Sequence, residues 1–424
     1  MSFRRRSVVA LAASALLLSA CGGEDSGSSA DGKVTIDWWH IGTAEPTKSV
    51  YEQWAKDFEA ENPGVTVKIT SMENEAFKSK MTTLTASGDV PDIFSTWGGG
   101  VLSQQVEAGL VADLSTVAAP ALETFTTAAI SPYKVDDVAY GIPVDAGMVG
   151  FWYNKALFAD AGIDEPPTTW SGFLDTVEAL KESGTTPIAL AGKEKWPGHF
   201  YWSYLAMRIG GIESLKEAET THDFTGPGFV EAGERLQELA DLDPFQSGFL
   251  GADYSTPDGQ AAAVGGGRAA MELMGQWAPS VQADTSDGLG DDLGFFTFPE
   301  VEGGKGSLDE VLGGGNGFAM GADAPDEAVD FLLFISQAEQ HGKLVESGAG
   351  LPVMDEAVDL VGDEHLKAVA DAMSEATGFQ LYLDQAYPPA VGAQVNDSVA
   401  ELLAGVATPE EANQAISDTA KSEG

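Results

Sequence analysis

The histidines, carboxylates and glycine runs of this chain are the natural places to look for reaction chemistry, and their spacing speaks against most of it. Five histidines, His40, His199, His222, His341 and His365, show no His-Glu-x-x-His pattern, and the single cysteine, Cys21, leaves no thiolate set for a metal. With 66 acidic residues, paired carboxylates of the glycosidase kind arise anywhere by chance. The stretch "DTSDGLGDD" (284 to 292) is acidic enough to attract calcium but lacks an EF-hand pattern. There is no Gly-x-Ser-x-Gly elbow, and the glycine runs 98 to 100, 265 to 267 and 313 to 315 complete no phosphate-binding pattern. Neither a metal nor a cofactor is expected. What remains is aromatic: "DWWHIGTAEP" (37 to 46), "FSTWGGG" (94 to 100), "GKEKWPGHFYW" (192 to 202) and "ELMGQWAPS" (272 to 280) each set tryptophan beside glycines or polar groups. Flat rings with fixed polar neighbours suit a ligand that has an apolar face and a rim of hydroxyls.

Such groups need elements to position them. Residues 33 to 40, "KVTIDWWH", alternate as a strand; residues 46 to 61 carry Val50, Trp54 and Phe58 at helical spacing. "VTVKIT" (65 to 70) reads as a strand, Phe77, Met81 and Leu84 mark a helix, and "PDIF" (91 to 94) reads as a short strand. This alternation is the sequence form of a parallel, doubly wound sheet. A second series begins with a helix near Asn154, a helix over 171 to 182 and a strand at 187 to 190. Helical patterns run to residue 240, "AAMELM" and "LGFFTF" read as strands, and 326 to 337 and segments from 365 onward read as helices. The fold class is α/β. Some 400 residues exceed a single core of about 250 to 300, so two lobes are expected. Ligands of open α/β sheets sit beyond the carboxyl ends of the strands, which directs attention to the loops there.

The first twenty residues read as an export signal: Arg4, Arg5 and Arg6, then "SVVALAASALLLSA", with no acid before Cys21. "LSAC" (18 to 21) matches a bacterial lipobox, so Cys21 is expected to carry a diacylglyceryl anchor, and "GGEDSGSSADGK" after it has the composition of a flexible tether. The formal charge of −44 excludes a nucleic-acid binder or a module that clings to anionic lipid. Contact with the membrane is expected through the anchor alone.

Seven stretches in order then carry a family resemblance: "TIDWWH", "FEAENPGVTVKI", "ASGDVPDIFSTWGGG", "VEAGLVADLS", "YGIPVDAGMVGFWYNKALFADAGIDEPPTTW", "GRAAMELMGQW" and "GAGLPV". The chain resembles the carbohydrate-type extracellular solute-binding proteins of ABC transporters, the group of maltose- and xylo-oligosaccharide-binding proteins. Its tail, "FQLYLDQAYPPAVGAQVNDSVAELLAG", is most similar to actinobacterial lipoproteins thought to bind xylobiose and related sugars. The resemblance implies a two-lobe periplasmic-binding-protein-like fold whose lobes are discontinuous and joined by hinge crossings. It also implies a carbohydrate in the cleft, a short oligosaccharide such as xylobiose or a monosaccharide, an ABC permease as partner, a monomer, and a place outside the cytoplasmic membrane. The crossings are placed near 141 to 147, 285 to 295 and 345 to 353, giving a first lobe of 33 to 143 with 291 to 347 and a second of 144 to 290 with 348 to 424. A surface-anchored glycan-active enzyme and a receptor for a non-sugar solute are the alternative readings.

Candidate ligand contacts follow. Trp97 and Gly98 lie in a glycine loop that lets backbone approach a ligand, or Trp97 wedges under the next helix. Trp196 is on no obvious core face, whereas Trp202 and Tyr153 belong to core series, and Asp92 could equally cap backbone. Asn316 sits among glycines in a hydrogen-bonding or turn role, and Tyr382 and Asp384 come from the tail. The resemblance implies a hydroxyl-accepting carboxylate at Asp145 and a stacking ring at Trp277, with Gln276 beside it. It also places contacts just past the first strand, at Trp39, His40 and Glu45, while Trp38 continues the apolar face of Val34 and Ile36 into the core.

Overall fold

Alternation in the first strand is realised as Val34–His40, with Ile36, Trp38 and His40 buried on one face. The structure is a computed structural model that describes residues 33 to 423; the export segment, Cys21 and the tether lie outside the described residues. Val34–His40 belongs to a five-stranded sheet in the order Val65–Ser71, Val34–His40, Ile93–Thr96, Gly317–Met320, Gly141–Pro143. The first three strands are parallel and alternate with helices Thr47–Glu61 and Asn74–Ser87, as the periodicity requires. Gly317–Met320 arrives from far along the chain to sit between Ile93–Thr96 and Gly141–Pro143 and pairs antiparallel with both, so it alone runs against the rest of the sheet.

Helix Thr47–Glu61 buries Tyr51, Trp54, Ala55 and Phe58, spaced by three and four, against this sheet. Trp38 and Phe58 both meet Phe331 of helix Asp326–Ile335, and the Trp54 indole N–H donates to the Gln340 carbonyl at 3.3 Å. Burial of each such ring contributes about 2 to 3 kcal/mol. The returning segment 317 to 346 is therefore built into the first lobe's core.

The second lobe is organised on a four-stranded sheet, Leu293–Phe296, Gly150–Asn154, Ala269–Met274, Thr186–Ile188. Helix Trp196–Gly210 is buried around nearly its whole circumference, with a mostly apolar sequence to match. Helices Pro227–Asp241 and Pro389–Leu403 cover it, and Pro409–Glu423 packs on both. Trp202 stacks on Phe229 at 5.8 Å, which makes it a core ring. Arg208, on the same helix, is fully buried and donates to the carbonyls of Phe298, Pro299 and Glu310, so backbone dipoles rather than a carboxylate hold its charge.

These bonds correct the lobe boundaries drawn from the sequence. Leu293–Phe296 pairs antiparallel with Gly150–Asn154, and Arg208 fastens residues 298 to 310 to the second lobe, so the segment from 291 does not join the first. The return to the first sheet falls between Gly314 and Gly317. The last crossing is also later than 345 to 353: Val353 N–H donates to His341 Nε2, and Asp355–Leu360 packs on helix Ala338–Glu346. Helix Glu364–Ser374 is the first element beyond it to lie on Leu293–Phe296. A three-stranded sheet, Gly378–Leu381, Glu310–Gly314, Gly147–Met148, continues the crossing strands between the lobes.

The glycine run 98 to 100 serves packing. A Cβ on Gly98 would lie 2.2 Å from the Pro132 carbonyl oxygen, one on Gly99 2.4 Å from that of Gln385, and one on Gly100 2.3 Å from the Tyr387 carbonyl carbon. The tail segment 383 to 388 thus docks backbone to backbone on helix Gly99–Glu107. Gly100→Ala is expected to lower stability by about 1 to 3 kcal/mol through forced overpacking. Guanidinium unfolding would measure it, and an unchanged midpoint would show that this contact yields freely.

Candidate functional site

The crossing strands meet at one carboxylate. Asp145 lies between Gly141–Pro143 of the first sheet and Gly147–Met148 of the third, opposite Asn316, which lies between Glu310–Gly314 and Gly317–Met320. Val144 and Asp145 N–H groups donate to the Asn316 carbonyl at 2.7 and 3.2 Å, and the Asn316 backbone and side-chain amides donate back to the Asp145 carboxylate at 2.5 to 3.1 Å. Glycine makes this closeness possible. A Cβ on Gly315 would stand 2.1 Å from the Asp145 carbonyl oxygen, and one on Gly350 2.7 Å from the Asp145 Cβ. Burial pushes the Asp145 carboxyl up to about 6, against the hydrogen bonds from Asn316 and Gln276.

Asp145 and Asn316 floor a cleft of about 610 Å³ between the lobes, a size typical of small-molecule sites. Strand Ala269–Met274 supplies one wall: at its carboxyl end come Gly275, Gln276 and Trp277. The Trp277 ring folds over Gly275, where a Cβ would be 2.2 Å from it, and the Trp152 indole donates to the carbonyls of Met274 and Gly275. Behind this turn Glu272 is fully buried and accepts from Gln260 and Gln282 at 2.9 and 2.7 Å, while Gln260 also accepts from Ala191 N–H. Burial raises the Glu272 carboxyl to about 7, opposed by the two amides. This network fixes the helix after Trp277 to the loop that leads to Trp196.

Rings line the second-lobe side. Trp196 and Trp277 stand 6.5 Å apart at 58°, and Tyr382 meets Trp277 at 6.3 Å and 79°. The Trp196 indole donates to Glu194 at 2.9 Å, and the other oxygen of Glu194 accepts from Tyr254 N–H at 2.8 Å, so a carboxylate sets the ring's orientation. Burial shifts Glu194 upward. Trp97 and Tyr51 face the cleft from the first lobe, with the Lys78 ammonium 5.5 Å from the Trp97 ring centre. The lobes touch across the mouth, where Ser255 donates to Glu73 at 3.3 Å and Lys78 pairs with Asp384 at 3.4 Å. Burial would raise the Asp384 carboxyl, but Lys78, His199 and Asn396 outweigh it and hold it below the ordinary range.

The structure brings together Trp97, Asp145, Trp196, Gln276, Trp277, Asn316, Tyr382 and Asp384 on one cleft. Four other candidates lie off it. His40 is the sixth residue after Val34, so strand alternation carries it to the same face as Trp38, where it packs 4.7 Å from that ring and 5.0 Å from Tyr51 and accepts from Gly42 N–H. Burial lowers it to about 4, so it is a neutral core residue. Trp39 is half-buried on the opposite face of the sheet. Glu45 is exposed and accepts from Ser49 N–H in the first helical turn. Gly98 faces Pro132. Asp92 caps backbone, accepting from Asp37 N–H at 2.8 Å. Sequence reasoning missed Tyr51, Lys78, Glu194 and Tyr254. Only Glu194 and Tyr254 had a visible signal, since both border stretches of aromatic and glycine residues.

The model of the family described as bacterial extracellular solute-binding protein matches residues 43–342. The chain is 29% identical over 341 residues to a multiple sugar-binding protein of Streptococcus mutans serotype c, covering 78% of this chain and 74% of that one. A solved structure from work on xylan utilization by the thermophilic bacterium Caldanaerobius polysaccharolyticus superposes with a TM-score of 0.84 at 29% identity, over 91% of this chain and 99% of the other. A chitin oligosaccharide binding protein superposes with a TM-score of 0.83 at 28% identity, over 92% and 98%. Among the described residues no helix is long and apolar enough to cross a membrane.

Two substitutions check these placements. The Asp145 carboxyl is near 3.9 in an unfolded chain and about 6 in the fold. Between these values the folded chain keeps a proton that the unfolded chain releases, so this group costs stability as pH rises, on the order of 3 kcal/mol in all. Asp145→Asn should therefore gain on the native protein from about pH 4 to pH 6 and level off above; a gap independent of pH in denaturant unfolding would contradict this. His40→Ala is expected to cost about 2 to 4 kcal/mol as a core truncation, and a loss within error would return His40 to the surface.

Proposed function

Because the chain belongs to the bacterial extracellular solute-binding proteins, a family of receptors rather than enzymes, we propose that it captures a short oligosaccharide in the interlobe cleft and hands it to an ABC permease. The observation that carries this reading is the set of rings Trp97, Trp196, Trp277 and Tyr382 around a floor of hydrogen-bonding groups. Each ring offers a flat surface to the C–H face of a pyranose, and Asp145, Gln276 and Asn316 stand where hydroxyl edges would reach. The inclined pair Trp196 and Trp277 provides two such surfaces at an angle, which favours more than one sugar unit. The relatives, a multiple sugar-binding protein, a structure from work on xylan utilization and a chitin oligosaccharide binding protein, support a glycoside ligand.

A ligand that touches both walls stabilises the closed arrangement by its differential contacts, and the permease reads that arrangement. Cys21, with its lipobox, is taken to tether the receptor to the outer face of the cytoplasmic membrane. Xylobiose is the first candidate, on the likeness of the tail sequence. A thermal-shift panel of xylose, xylobiose, galactose, maltose and longer oligomers tests the class: the bound sugar raises the melting temperature in proportion to RT ln(1 + [L]/Kd) and is recovered unchanged. Trp277→Ala should weaken that sugar at least about tenfold, roughly 1.4 kcal/mol, with little change in unliganded melting because the ring is only half-buried. No shift with any glycoside, or the appearance of cleavage products, would refute the proposal.

A further inference from the structure

The charged groups of the cleft are mostly hydrogen-bond acceptors. Asp145, Glu194 and Asp384 line its interior, and Glu73, Glu75, Asp253 and Asp284 line its mouth. The lining has two lysines, and both are engaged: Lys78 with Asp384 and Glu75, Lys193 with Asp253 at 2.8 Å. The other donors are largely committed too. Asn316 gives its amide to Asp145, Thr43 and Ser255 give their hydroxyls to Glu73, and Ser280 gives its own to the Trp277 carbonyl.

Against this stand buried polar atoms that line the cleft and have no partner among the described residues. Gln276 Oε1 and Gln385 Oε1 are acceptors in residues more than nine-tenths buried, and the Tyr382 hydroxyl, 3% exposed, can accept as well as donate. A buried unmatched acceptor costs free energy until a donor reaches it. The site therefore asks its ligand for donors and offers few in return.

Resting on the sugar reading above, we infer that the cleft selects donor-rich glycosides by polarity: a free amino group on the sugar strengthens binding, and a carboxylate or phosphate in the same place prevents it. An ammonium brings three donors and a positive charge to a cavity with seven carboxylates and two paired lysines. The carboxylate of a uronate brings only acceptors and meets like charge, with no free cation among the described lining residues to receive it. Neutral hydroxyls lie between, since each can turn its proton toward an acceptor. The exclusion has two parts. The rim acids Glu75 and Asp284 are exposed and act through a salt-screened field, whereas Gln276, Gln385 and Tyr382 act by contact and are insensitive to salt.

The test uses one skeleton with three substituents: cellobiose, its diamine chitobiose with the amines protonated, and cellobiouronic acid, titrated by calorimetry into the full mature protein. Chitobiose is expected to bind about three- to tenfold tighter than cellobiose at low salt, and the uronate at least about tenfold weaker. In the Glu75→Gln, Asp284→Asn double variant, and in the native protein in half-molar salt, the ratio between uronate and cellobiose should narrow by about threefold. If the skeleton is not bound while another glycoside of the panel is, the amine and uronate of that glycoside take its place. A uronate bound as well as its parent, or an amine bound more weakly, overturns the inference and leaves the sugar reading standing. A ratio that neither salt nor the double variant narrows overturns the part assigned to the rim. Silence toward every sugar in the panel refutes the sugar reading itself.

Discussion

Everything in the molecule that must be in register is tied to the reciprocal bonds between Asp145 and Asn316. The two residues lie where the chain leaves one sheet for another, once outbound and once returning, and each satisfies the other's backbone and side-chain groups. A carboxylate buried this deeply is tolerated because amides surround it, and its upward shift to about 6 measures the residual cost. The surrounding glycines are a consequence of the same geometry. With side chains at Gly315 or Gly350 the crossing strands could not approach, the carboxylate would lose its donors, and the cleft would lose its floor.

The walls follow a related logic, in which a buried polar group fixes the ring used by the site. Glu194 holds the Trp196 indole, the Trp152 indole anchors the carbonyls of Met274 and Gly275 in the turn that carries Trp277, and Glu272 with its two glutamines fastens the supporting helices. A ring held by such a bond presents one face without losing rotamer freedom on binding. The cleft is thus rigid within each lobe. Adaptation is left to the lobes themselves, which meet across the cleft through the exposed pair Ser255 and Glu73 and, more deeply, through Lys78 and the buried Asp384.

Much of this was legible from residue order. The strand and helix alternation from 34 to 96 was readable because each element buries one face, and loops at strand ends pointed to Trp97, Trp196 and Trp277. Non-local pairing was not readable. Nothing in "LGFFTF" says that it pairs with Gly150–Asn154 or that Arg208 will hold its neighbours, so the second crossing was drawn too early. His40 is a different lesson, since the alternation that put Trp38 in the core also reached His40. Lys78 sits on a helix whose outward residues look alike in sequence, and only the partner lobe distinguishes it, whereas Tyr51 falls in the buried series of its helix and reads as core. The glycines 98 to 100 did mark a close approach, but of the chain's own tail rather than of a ligand.

The placement of Gly317–Met320 bears on how the chain reaches this form. It fills the middle of a sheet whose other strands all lie before residue 144, whereas every strand of the four-stranded sheet lies between residues 150 and 296. A chain appearing from its amino end therefore exposes Ile93–Thr96 as an open edge while the later sheet is already complete. Pairings of such long sequence separation are slow to form, and an apolar open edge invites neighbouring chains. The part of the protein that emerges first is the part that is finished last, and the interval between the two is when aggregation is the main hazard.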